Sequence, residues 1–451
     1  MATLEKLIAR EVLDSRGHPT IEIEVLASSG ARGRAIAPSG GSIGRHEARE
    51  LRDGDPARHA GRGVSRAVAL ARAEVGAALL GLDLDDQGGL DAALIALDGT
   101  TDRARLGSHA MLAASLASAR AAAASRGEEL YVHLNRLWKA KLPPGEPDGP
   151  GLPLPMAHMV CGSARAGRSL DFQDILMIPV GARDLPEAVA MIADVYRNLG
   201  HVLHDHGHPA HLVSDQGAYS PKLWATAQAV DHLLEGVLRA GLAIEGDVAI
   251  ALDIAAAHIQ DPSTRDYRLD MGRESLDAGG MIAMLEHWVR QYPIASIEDA
   301  LGDDDWDGWA ALTLRLGDKV QVAGDDLYAT RVDRIAEGAG RKAANAVVIK
   351  PGQVGTLTET LDALALARKH GHGVIIAGRL GETEDTAIAD LAVATAAGQV
   401  KFGSPARSER VAKYNRLLRI ADDLGPAAPY AGRRVLRAPA NGNGRNGLSA
   451  H

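Results

Sequence analysis

Between Ile21 and Val25, apolar residues alternate with Glu22 and Glu24, the period-two pattern of a strand that buries one face. Residues 31–37 follow closely enough to pair with it. From about Asp55 to Arg136 the apolar positions take helical spacing instead. Within that region, residues 107–126 are so rich in alanine, with Leu112 and Leu116 four apart, that they predict a tightly packed core helix. The pattern then breaks. Residues 142–155 contain six prolines and three glycines and read as a linker or barrel entry.

Beyond the break, short apolar runs at 175–180, 248–252, 295–297, 320–323, 346–349, 374–377 and 399–402 are separated by helix-like stretches. Over the second half they recur roughly every 25 residues, the length of one strand–helix unit. Strands alternating with helices over about 280 residues predict a parallel α/β barrel. The expected organisation is a first domain over residues 1–140, a barrel over 141–424, and a Gly/Asn-rich tail over 425–451 without fixed structure.

The chemistry lies at the end of each run. Residues 248–252 lead into Asp253, 295–297 into Glu298 and Asp299, and 320–324 into Asp325 and Asp326. Residues 346–349 lead into Lys350, 374–378 into Arg379, and the last run carries Lys401. The C-terminal ends of barrel strands converge on one face, so these side chains are expected in a single mouth. A lone Asp after a strand is usually a helix cap. Six charged ends in the order Asp, Glu, Asp, Lys, Arg, Lys are not explained by capping. Three carboxylates suit Mg²⁺, which keeps other positions for water or substrate. A lysine beside such a metal has its ammonium form disfavoured and can act as a base. The metal's other task is to hold the enolate formed when a carboxylic acid loses its alpha proton.

Composition narrows the alternatives. The 451 residues are 46% hydrophobic and 24% charged, an ordinary globular balance, while aromatics make up only 3%. The core must therefore be built from Ala, Leu, Val and Ile. A formal charge of −9 offers no basic stripe for nucleic acid. No run of about 18 apolar residues suggests a membrane span, and Met1 to Arg16 has no signal-type stretch, so a cytoplasmic enzyme is expected.

Several segments carry a family likeness. The chain resembles enolase from residue 4 to residue 424, through LDSRGHPTIEIEV at Leu13, APSGGSIGRHEARELRDGD at Ala37 and SIEDAL at Ser296. VAGDDL at Val322, VVIKPGQVGT at Val347, GETEDTAIADL at Gly381 and SERVAKYNRLLRI at Ser408 continue the match in order. The resemblance implies an N-terminal α+β capping domain on an eight-stranded barrel, a homodimer, and a small anionic phospho- or phosphono-carboxylate substrate. It also implies that Asp253, Glu298 and Asp325 are ligands of a first magnesium, and that Ser42 closes over the site and helps bind a second. Lys350 would be the base, Lys401 the grip on the substrate carboxylate, and Arg379 the arginine that binds phosphate.

The other half of the pattern departs from enolase. Gln216, in VSDQGAYSP, stands where the family has a glutamate that helps expel the beta-hydroxyl. Asp174, in FQDILMIP, replaces a second glutamate, and Arg165, in GSARAGR, replaces a loop histidine. Gly378 and Leu380 flank Arg379 where the family has histidine and serine. An amide cannot transfer a proton, and losing one acid–base group costs about 10²–10⁴-fold in rate. Gly378 is expected to make room, Leu380 removes a donor, and Arg165 brings a cationic fork suited to an extra carboxylate or phosphonate. The changes point to carboxyphosphonoenolpyruvate formation in phosphonate or phosphinate antibiotic biosynthesis. The alternatives are phosphopyruvate hydratase of glycolysis and a non-catalytic homologue that binds a ligand or partner.

Other features read as incidental. His201, His204, His206, His208 and His211 suggest a polar helix end and loop, with a zinc pair at His201 and His204 as the other reading. Cys161, the single cysteine, excludes an internal disulfide and reads as a buried thiol. GQVG at Gly352 is too short to cradle phosphate. Arg433, Arg434 and Arg437 read as a solvated patch.

Overall fold

The alternating strand near the N-terminus is the middle of a small sheet. In the computed structural model, which describes residues 2–41, 44–146, 148–162, 170–269, 271 and 274–436, strands β1 (Leu4–Leu13), β2 (Pro19–Ala27) and β3 (Arg32–Ile36) pair antiparallel in that order. Ile21, Ile23 and Val25 are fully buried, while Arg10 donates to Glu22 and Glu24 at 2.7 and 2.9 Å on the other face. The alanine-rich segment forms helix Ser108–Ser125 and packs across β2 and β3. Its small side chains permit a very close approach. A Cβ at Gly33 would lie 2.1 Å from the Ala117 carbonyl oxygen, so only glycine fits there.

The second region closes into a barrel. Its strands are β4 (Leu154–Cys161), β5 (Asp174–Ile178), β6 (Ala249–Asp253), β9 (Ile294–Glu298), β10 (Gln321–Gly324), β11 (Ala346–Ile349), β12 (Gly373–Ala377) and β13 (Gly398–Gly403). A short hairpin, β7 (Tyr267–Leu269) with β8 (Glu274–Leu276), lies between β6 and β9. The eight barrel strands are ordered β10-β11-β12-β13-β4-β5-β6-β9. All seven apolar runs are strands. The eighth, β4, adjoins the proline-rich break, and its residues are buried throughout, so it carries no alternation to find.

Two expectations need correction. The barrel is not wholly parallel, because β5 runs antiparallel to both β4 and β6. This reversal puts the first residue of β5, Asp174, beside Asp253 at the last residue of β6. The tail is also ordered from Gly425 to Leu436. Leu152 donates its N–H to Pro429 at 2.7 Å, Ala431 donates to Leu152 at 2.9 Å, and Tyr430, Val435 and Leu436 pack on the barrel floor. Residues 437–451, including Arg437, lie outside the described residues.

Inside the barrel, Leu154, Met156, Ile178, Ala251, Val348 and Ile375 form the apolar floor. At the same end of the barrel Gln399 and Gln321 exchange hydrogen bonds, Gln399 donating at 2.7 Å, and Gln321 also donates to Ser296 at 3.0 Å. These buried amides are therefore satisfied. The capping sheet is fastened to the opposite, C-terminal end. Ser39 and Gly381 exchange backbone hydrogen bonds of 2.8 and 3.0 Å, and Arg120 of the core helix pairs with Asp385 at 2.6 Å. Among the described residues, no helix is long and apolar enough to cross a membrane.

Candidate active site

The C-terminal strand ends and the cap enclose a cavity of about 390 Å³. Gly41 and Glu47 of the cap line it together with Asp253, Asp325, Lys350, Arg379 and Lys401. The strand-end charges thus meet as the spacing predicts. Glu298, 3% exposed, joins them from the end of β9.

Two lysines serve as counter-ions there. Lys401 donates to Asp253 Oδ2 at 2.9 Å and to Glu298 Oε1 at 2.6 Å. Lys350 donates to Asp325 Oδ2, whose partner oxygen accepts from Gln353 Nε2 at 3.0 Å. Burial and the nearby negative charge of Asp253 and Asp325, set against the help of Lys401, push Glu298 up to about 8. Asp326 is likewise pushed up to about 7 by burial and by Asp325. Asp325 is held below the ordinary range, although burial opposes it, because Lys350 and Lys401 stand close.

The lysines differ from the sequence expectation in one respect. Burial disfavours the ammonium of Lys350, but Asp325 outweighs it and the net direction is upward. Lys401 is raised further, by Asp253 and Glu298 against the same burial. Both are charged while the carboxylates have no other partner.

The donor set fits a hard dication. Ligand oxygens of Glu298, Asp299 and Asp325 lie within 4.8 Å of one another, and Asp253 meets Glu298 through the shared Lys401 ammonium. Buried carboxylates raised by mutual repulsion gain from a divalent cation. Asp299 also serves the local backbone. Its two oxygens accept the N–H groups of Asp325 and Asp326 at 2.9 and 3.0 Å, fixing the turn that presents them.

The opposite wall is arranged differently. Asp174 is fully buried, and Gln216, which lines the cavity, donates to its Oδ2 at 3.0 Å. Burial and Asp253 push Asp174 well above the usual carboxylate range. His158, on β4, is 1% exposed and lies 3.8 Å from the same oxygen, beyond hydrogen-bonding reach. Burial, with Lys401 and Arg410 nearby, pushes its ring well below the ordinary value and keeps it neutral. Cys161 is buried, as expected, and pairs with Asp174 in the β4–β5 ladder.

Arg379 pairs with Glu47 at 2.6 Å, with both side chains under a tenth exposed. The segment after β12 is held from behind. Arg410 donates to the carbonyls of Arg379 and Leu380 at 2.8 and 2.6 Å, and Glu382 accepts the Arg379 N–H at 2.8 Å. Gly378 lines the cavity, and a Cβ there would meet Glu382 Oε1 at 3.2 Å and Arg410 Nη1 at 3.5 Å. Leu380 lines the cavity. Ser42 and Arg165 lie outside the described residues.

Sequence reasoning misses Glu47, Gln353, Gln173 and His158. Glu47 and Gln353 sit inside the enolase-like segments, and GQVG reads there only as a short glycine loop. Gln353 instead donates to Asp325 and takes a hydrogen bond from Thr330 at 2.5 Å. Gln173 donates to Asp253 at 3.2 Å. A usable signal for Gln353 is its place three residues beyond a strand-end lysine.

Compared with known families, residues 4–134 match a model described as the enolase N-terminal domain. Residues 150–439 match one described as the enolase C-terminal TIM barrel domain.

Proposed function

Because the chain belongs to the enolase family through both of its domains, we propose that it is a magnesium-dependent enzyme that removes the alpha proton of a phosphoglycerate-like acid and forms an enolpyruvate ester. The observation that carries this reading is the pairing of Lys350 with Asp325 and of Lys401 with Asp253 and Glu298 at one cavity. A pure binding protein has no use for a buried lysine placed beside a cluster of carboxylates.

Asp253, Glu298 and Asp325 would hold a magnesium ion, with Ser42 helping to hold a second alongside substrate. When bound, magnesium would supply positive charge that stabilises the enolate, with Asp325 among the residues that hold it. With Asp325 engaged elsewhere, burial and the neighbouring charges of Lys401 and Arg379 would favour the neutral Lys350 amine that can accept the alpha proton. Lys401 grips the substrate carboxylate, and Arg379 exchanges Glu47 for the substrate's phosphorus-bearing group. The C–H electrons form the new double bond, the beta C–O bond breaks with its electron pair, and the departing hydroxide takes a proton from solvent to leave as water.

The departure from enolase lies at that last step. Gln216 offers only an amide, and Asp174 sits behind it out of the cavity. We assign the substrate as an acid whose phosphorus end carries an additional carboxylate, giving carboxyphosphonoenolpyruvate in a phosphonate or phosphinate pathway. Arg165 is the proposed partner of that extra anion, with Leu380 removing a donor suited to plain phosphate. A second reading, phosphopyruvate hydratase, is favoured by Asp174, whose raised pKa keeps a proton that an acid could give.

The test is turnover of the carboxyphosphono ester and of 2-phosphoglycerate by the native chain and by Arg165→Ala. Loss of a charge partner for a desolvated anion should lower turnover of the carboxyphosphono ester by about 30-fold or more. Unchanged turnover of that ester would sink the assignment.

A further inference from the structure

The histidine-rich segment acquires a new meaning once the helices around it are placed. His206 follows helix Leu185–Asp205, and His208 lies in the turn beyond it. The next helix, Thr226–Arg239, presents His232 and Glu235, three residues apart and therefore on one face. Donor atoms of His206, His232 and Glu235 all lie within 4.8 Å of one another. The His206 and His208 ring centres stand 4.5 and 5.9 Å from that of His232. His201 and His204, the pair singled out by spacing alone, are not in this group.

The carboxylate is aimed into the cluster. Arg239 donates to Glu235 Oε1 at 2.7 Å and is itself braced by Asp205 at 2.6 Å. The other oxygen, Oε2, faces His206 Nε2 at 3.1 Å. A hydrogen-bonded His206–Glu235 pair needs neither His232 nor His208 beside it. Three imidazoles drawn together would repel one another if protonated. Burial, with His206 and His208 nearby, pushes the His232 ring below its ordinary value, so it keeps a lone pair.

We propose that His206, His232 and Glu235, with His208 as a fourth donor, form a binding site for a transition-metal dication of the zinc type, separate from the barrel mouth. Imidazole nitrogens with one carboxylate are the donor set of zinc and its neighbours, whereas magnesium selects oxygen alone. A cation there ties the end of one barrel helix to the face of the next. It also sits at the root of the segment that carries Ser214, Asp215 and Gln216 to the cavity wall.

The experiment uses the full chain, stripped by chelation and dialysed against zinc with magnesium in large excess to occupy the oxygen-rich barrel mouth. The native chain should bind a single zinc ion that the double variant His206→Gln with His232→Gln does not. Glu235→Gln, which keeps the side chain's shape, should weaken zinc binding about 10- to 100-fold. Circular dichroism melting without zinc should be the same for all three proteins, showing that the variants fold. Equal zinc binding by the native and double-variant chains, or none by the native chain, would overturn the proposal.

Discussion

The two walls of the cavity follow opposite rules. On the wall built by β6, β9, β10, β11 and β13, two lysines stand among the carboxylates, Lys350 with Asp325 and Lys401 with Asp253 and Glu298. On the wall built by β4 and β5, Asp174 is buried against an amide and a neutral imidazole. On the proposed reading, the first wall moves a proton and holds the resulting charge. On the second, Gln216 presents an amide to the cavity and Asp174 is buried behind it. A single scaffold, on that same reading, keeps the chemistry of making an enolate and changes the chemistry of what leaves.

The largest expected effect tests the first wall alone. Lys350→Ala should lower exchange of the alpha proton with solvent deuterium by about 10²–10⁴-fold, read by nuclear magnetic resonance, while calorimetry still finds magnesium binding. Exchange at the native rate would remove Lys350 as the base. Next comes Lys401→Met, which leaves Asp253 and Glu298 facing each other without a counter-ion. It should cost about 3–5 kcal/mol in urea denaturation of the metal-free chain, with magnesium restoring part of the loss.

A smaller effect sharpens the contrast from the other side. Gln216→Glu returns a carboxyl to the second wall and should raise phosphoenolpyruvate formation from 2-phosphoglycerate by about tenfold or more. If the rate stays where it was, the amide is not what separates the walls. The smallest effect is in stability against pH. Glu298 rises from its ordinary 4.5 to about 8 on folding, so its contribution is fully present below about 4.5 and is lost as pH rises through about 8. Melting temperatures of the metal-free chain should decline across that window, and magnesium should flatten the decline. A flat profile without magnesium would show that Glu298 is not under this strain.

The difference between the walls also explains which features are legible in the sequence. Strand runs ending in Asp253, Glu298, Lys350 and Lys401 announce both the barrel and its charged mouth, because parallel strands deliver their last residues to one face. β4 is hidden by the prolines before it and by a burial pattern with no alternation. The reversal of β5 is hidden too, since an apolar run carries no direction. Only the ladder with β6 shows that Asp174, at the start of its strand, lies beside Asp253. The surroundings of Gly378 are equally invisible, because Arg410, which donates to the neighbouring Arg379 carbonyl, comes from a helix about thirty residues further on. The histidine cluster is incomplete in sequence for the same reason, with His232 and Glu235 on another helix.

The most direct measurement tracks both halves of the reaction at once. The purified chain is given magnesium and 2-phosphoglycerate in deuterium oxide, and alpha-deuterium incorporation is compared with the ultraviolet absorbance of phosphoenolpyruvate. The expected result is steady exchange of the alpha proton with little phosphoenolpyruvate formed. Phosphoenolpyruvate appearing as fast as the proton exchanges would contradict it, because the second wall would then expel hydroxide as well as the first makes the enolate.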